Sequence, residues 1–174
     1  ETMTLGPGQI YVSPLSLNQE HGQIEVPHSA VIRLATPLFD DVGRRRGIVI
    51  VNVMAGPLLD ALYQKVKAAH GEVYVVDQEG FYLMHPDPAK QWGGPSNLNT
   101  GERLHQNLPT LATTILSQRA VATVRGEDII VSQSIALNTS SRPGPSLILI
   151  EKISARVALA AIVDLRLHLL ILLM

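Results

Sequence analysis

The chain has 174 residues, 46% of them hydrophobic, enough for the core of one full domain and part of another and too apolar for a disordered segment. Its 14 Lys and Arg against 15 Asp and Glu give a formal net charge of -1, which excludes the basic footprint of a nucleic-acid binder. The lack of cysteine excludes disulfides, thiolate catalysis and Cys-based zinc sites, and it leaves the compartment open.

At the start, no basic segment followed by an apolar run marks a signal peptide, and a chain that opens on Glu1 is expected to lack its true beginning. Gln9 to Ser13 (QIYVS) alternates and reads as a strand, limited by Pro14. After a loop around Asn18 to Gly22, a second strand is expected from Ala30 to Leu38. Asp40, Asp41 and Gly43 supply turn chemistry, and Gly47 to Val53 (GIVIVNV) has the apolar density of a strand covered on both faces. These three strands form an antiparallel meander. Gly56 and Pro57 open a helix with Leu58, Leu59, Leu62 and Val66 at helical spacing, stopped by Gly71.

A second unit begins at Glu72, where EVYVVD and FYLMHP flank a turn at Gln78, Glu79 and Gly80. The Pro, Gly and Asn-rich segment 86–101 reads as a long loop, with Trp92 as its anchor. Leu108, Leu111, Ala112, Ile115 and Leu116 lie on one helical face. Strands follow at Ala120 to Val124, Ile129 to Ala136 and Ser146 to Ile153. The fold class is therefore α+β: PAS-like antiparallel sheets with flanking helices, one partial unit followed by one complete unit, then a C-terminal helix.

Tyr11, Ser13, Arg33, Thr36 and Asn52 interrupt the apolar strands of the first unit, and strands that carry polar groups on a sheltered face present them to something. Arg33 is the sharpest of these, because a guanidinium facing a pocket clamps a carboxylate through paired hydrogen bonds. A strand arginine facing solvent or paired structurally is an equal alternative. Tyr11 and Ser13 share a strand face and supply hydroxyls. His85 and Asp87 lack a third ligand at metal spacing and read as a turn, His21 and Glu20 as an exposed loop pair, and Arg44, Arg45 and Arg46 as a solvated hairpin tip. No P-loop, nucleophile elbow, dinucleotide fingerprint or zinc-protease helix occurs, so neither catalysis, a cofactor nor a metal is expected.

The segments YVSPLSLNQEHGQIEVPHSAVIRLATPLFD, RGIVIVNV and GEVYVVDQEGFYLMHPDPAKQWG, in this order with a helix between the last two, resemble the double Cache, or tandem PAS-like, sensor region of bacterial transmembrane receptors, above all sensor histidine kinases. The resemblance covers nearly all of residues 9–156. It implies the end of a membrane-distal unit at 1–56, a connecting helix at 57–71, a membrane-proximal unit at 72–153, and at 154–174 a stalk with the start of a transmembrane helix. It further implies a periplasmic location on the inner membrane, a homodimeric receptor and a small organic ligand held by Tyr11, Ser13, Arg33, Thr36 and Asn52. Amino-acid-sensing relatives tend to carry an aspartate where Asn52 stands. An amide brings no charge to a ligand ammonium, so a carboxylate fits better than an amino acid. Two alternatives stay open: a spacer or dimerisation domain without a ligand, and the sensor of a diguanylate cyclase or chemoreceptor. Val157 to Met174 is apolar apart from Asp164, Arg166 and His168 and falls short of the about 20 residues of a full span.

Overall fold

The computed structural model describes residues 4–137 and 144–160. Its first part contains β1 (Tyr11–Val12), β2 (Ser16–Leu17), β3 (Gln19–Glu20), β4 (Gln23–Ile24), β5 (Ala30–Phe39) and β6 (Arg45–Met54). β5 is the spine: β1 and β2 pair with it along one side, β6 along the other, all antiparallel. The expected meander is present, with β1 shorter than expected because Ser13 turns its hydroxyl into the ladder. The small β3–β4 hairpin occupies the stretch read as a loop. At the β5–β6 turn, Asp40 Oδ1 accepts the Arg44 N–H at 2.7 Å, while Asp40 Oδ2 pairs with the Arg44 and Arg46 guanidinium groups at 3.0 Å each.

α1 (Gly56–Ala68) leads to a second, five-stranded antiparallel sheet made of β7 (Glu72–Val76), β8 (Tyr82–Met84), β9 (Ala120–Arg125), β10 (Asp128–Ala136) and β11 (Ser146–Ser154) in the order β8-β7-β11-β10-β9. Between β8 and β9 lie one 3₁₀ turn at Pro88–Lys90 and the helices α2 (Leu104–Asn107) and α3 (Pro109–Ser117). The β7–β8 turn is fixed by Asp77, whose Oδ1 accepts the N–H groups of Glu79 and Phe81, and by Gly80 at φ 82°.

Side chains alternate across β7, and each set has its own core. Tyr74 and Val76 face α2 and α3, where Val76, Tyr82, Leu104, Ala112, Ile115, Ile130, Ile148 and Ile150 are packed together. Val73 and Val75 face the other way, into a cluster shared with Leu15, Leu17 and Ala30 of the first sheet, Val66 of α1, and Trp92. Trp92 thus anchors the long loop from inside. Each side chain buried this way contributes about 1.5–3 kcal/mol, so the shared cluster joins the two sheets firmly.

One expectation fails. β6 is not covered on both faces: Ile50, Val51 and Met54 keep 56, 53 and 55% of their surface exposed. The strand pairs only with β5, which leaves its other edge and both faces open. Apolar density predicts that such a strand wants cover, and nothing among the described residues supplies it. The expected C-terminal span falls largely on residues 161–174, outside the described residues. Residues 155–160 are helical, and no described helix is long and apolar enough to cross a membrane.

Candidate functional site

Register decides which of the five candidate residues meet. Tyr11 is opposite Ala35, and Arg33 is opposite Asn52. Partners in an antiparallel ladder share a face with residues two positions away, so Tyr11, Arg33 and Asn52 belong to one face of the sheet. Thr36 lies on the opposite face, where its hydroxyl donates to the Gln9 carbonyl at 2.9 Å. Ser13 is buried, and its hydroxyl accepts the Arg33 N–H at 2.8 Å while donating to the Pro14 carbonyl at 2.9 Å. Both capacities of that hydroxyl are spent on the backbone.

The Arg33 guanidinium is held by neutral groups. Nη2 donates to Asn18 Oδ1 at 2.9 Å and Nη1 to Ser16 Oγ at 3.3 Å, and the Asn18 amide in turn donates to Glu25 Oε2 at 3.0 Å. Among the described residues no carboxylate pairs directly with Arg33. A half-buried cation fixed in orientation and without a directly paired carboxylate can receive an anion. Sequence reading missed Ser16 and Asn18, because their contact with Arg33 comes from the pairing of β2 with β5 and from the β3–β4 hairpin, which no local pattern signals.

The other candidates resolve into structural roles. His85 Nδ1 accepts the Asp87 N–H at 2.9 Å, which makes the turn expected there. Burial, followed by the Lys90 ammonium, lowers the His85 pKa, in keeping with a neutral ring that accepts a hydrogen bond. Among the described residues no group of three His, Asp or Glu is placed to hold a metal ion.

The first sheet, with Arg33 oriented by Ser16 and Asn18, packs on the five-stranded sheet through a shared core. The chain belongs to the family described as bacterial histidine kinase, sensor domain, which matches residues 2–143. Among curated proteins no relative matches. A domain of a sensory box/GGDEF-family protein of Vibrio parahaemolyticus is similar at TM-score 0.71 and 24% identity, over 89% of this chain and 56% of that one. The extracellular domain of a protein described as histidine kinase vpHK1S-Z8 gives the same TM-score, 0.71, and identity, 24%, over 92% and 56%. The ligand-binding domain of the Pseudomonas aeruginosa chemoreceptor PctC, solved with GABA, is more distant: TM-score 0.54 and 14% identity over 83% and 56%. The chain therefore spans little more than half the length of these domains. The resemblance to tandem PAS-like sensor regions is borne out in family and fold.

Proposed function

We propose that this chain is part of the extracytoplasmic, small-ligand-sensing region of an inner-membrane sensor histidine kinase, and that the ligand is a small organic carboxylate received by Arg33. The supporting observation is the Arg33 guanidinium, oriented by Ser16 and Asn18 yet without a carboxylate partner. Tyr11 and Asn52 share its sheet face and would contact the rest of the ligand. Ser13 and Thr36 act behind them, Ser13 by fixing the Arg33 backbone and Thr36 by holding the segment at Gln9. PctC, an amino acid chemoreceptor of the same fold, was solved with GABA, which carries a carboxylate and an ammonium.

Residues 1–56 would belong to the membrane-distal unit and residues 72–153 to the membrane-proximal unit, with α1 between them. Ligand bound at Arg33 favours one arrangement of the first sheet over another, and differential affinity for the two is what drives a response. The core shared by Leu17, Val66 and Val73 carries that bias into the second sheet. From there it reaches the helix that begins after β11 and, through a membrane helix, the kinase core of a dimer. A thermal-shift panel of acetate, pyruvate, succinate and GABA on the purified receptor tests the reading. At least one acid should raise the apparent melting temperature, and Arg33→Gln should abolish the rise. No response to any acid would favour a spacer domain instead.

A further inference from the structure

We propose that the second sheet carries a ligand site of its own, for a small organic carboxylate, in the cavity between the α2–α3 corner and the open end of the five-stranded sheet. It is separate from Arg33, which lies on the other sheet.

The cavity measures about 300 Å3, the lower end of what binding pockets occupy, and so fits a short acid rather than a cofactor. Its position follows from the helices being short. They cover Val76, Ile148 and Ile150, and beyond their reach the same face of the sheet turns polar at Tyr74, Asp128 and Lys152. Ile130 and Ile150 form an apolar floor, with Leu108 above, suited to a short alkyl portion.

The polar lining holds two cations, Arg125 and Lys152, one carboxylate, Asp128, and the hydroxyls of Tyr74 and Tyr82, of which Tyr74 donates to Glu72. Tyr82 is wholly buried, and its hydroxyl has no hydrogen-bond partner. The exposed Asn107 side chain stands beside it, close enough to oppose the burial that pushes the phenol up to about 12, yet the Asn107 amide nitrogen is engaged with His85 Nε2 at 3.2 Å. Rotation of that one surface side chain would open the hydroxyl to the cavity. A buried hydroxyl left unpaired carries a desolvation cost of about 1–3 kcal/mol, which an incoming acceptor would remove. Across the cavity Lys152 is already neutralised by Glu72 at 3.2 Å and Asp128 at 3.5 Å. Arg125, opposite Asp128 in the β9–β10 ladder, has no ion pair among the described residues and is the cation that an acid would meet. A carboxylate satisfies Arg125 and the Tyr82 hydroxyl, and a hydroxyl or keto group on the acid meets Asn107.

The site sits where it can affect the outgoing helix. The turn between β9 and β10 is tied to that helix, with the Glu127 carbonyl accepting the Ala155 N–H at 2.7 Å and the Glu127 carboxylate holding Arg156 at 2.9 Å. Arg125 immediately precedes this turn, so an acid bound to its guanidinium loads the clamp directly.

Titration calorimetry of the Arg33→Gln chain with acetate, pyruvate and L-lactate at constant ionic strength isolates this site from the first. At least one acid should bind saturably, and adding either Arg125→Gln or Tyr82→Phe should weaken it by about tenfold or more. Tyr82→Phe removes only an unpaired hydroxyl and Arg125 is exposed, so both variants should keep the wild-type melting temperature. Absence of saturable binding in the Arg33→Gln chain, or an affinity that neither added substitution lowers, overturns the proposal.

Discussion

At the residue scale, the first sheet depends on a serine that a sequence reader would assign to a ligand. Ser13 looked like a pocket hydroxyl because it stands two residues from Tyr11. Its oxygen instead takes the place of a backbone acceptor for Arg33. Ser13→Ala leaves that buried N–H unpaired and should cost about 1–3 kcal/mol in urea unfolding, whereas a serine that only touches ligand would cost almost nothing. His85 makes a pH prediction of definite sign. Its folded pKa is depressed, so the stability it contributes is fully present above the unfolded value near 6.5 and is lost as the pH falls through the folded value. Unfolding midpoints measured from pH 7.5 down to 5 should drop in the wild type, and the drop should be smaller in His85→Gln. Arg33 stood out in the sequence because a charge on an apolar strand is rare. Ser16 and Asn18 were not, because nothing in the sequence fixes the register that brings them to it.

At the element scale, periodicity carried most of the information. The apolar face from Leu108 to Leu116 became α3 with Ala112 and Ile115 wholly buried, and the alternating runs after Ala120 became β9, β10 and β11. Two-residue strands such as β3 and β4 are too short to show a period, which is why they read as loop. For β6 the sequence was right about chemistry and wrong about surroundings: its residues are apolar on both faces and stay open. An exposed apolar edge strand invites pairing between copies. Val51→Lys should delay light scattering on heating the isolated chain and leave its far-UV circular dichroism unchanged. Gly93 tests the long loop. A Cβ there would come within 2.3 Å of the Glu102 carbonyl, a backbone atom that cannot yield cheaply. Gly93→Ala should lower the melting temperature by several degrees even though it adds one methyl group.

At the scale of the whole molecule, the two sheets share one core rather than touching across a polar seam. Leu17 of the first sheet is 1% exposed and packs in the same cluster as Val73 and Leu83 of the second. The Leu17 N–H also donates to Asn97 Oδ1 in the long loop at 2.8 Å. The described chain should therefore unfold in one transition, and Leu17→Ala should shift that single transition by about 2–5 kcal/mol. Two separable transitions in calorimetry would mean the sheets are independent and could not pass a signal through packing. This coupling gives the proposed sensing at Arg33 a route to the exit helix, and it was invisible in the sequence, where Leu17 fell in no expected strand and Val73 read only as part of one.

The most direct test follows the signal from end to end. Autophosphorylation of the full-length receptor would be measured with and without the acid that gives the largest thermal shift, in the wild type and in Arg33→Gln. The account predicts that the acid changes the wild-type rate and leaves the Arg33→Gln rate at its basal level. An unchanged response in Arg33→Gln would contradict it.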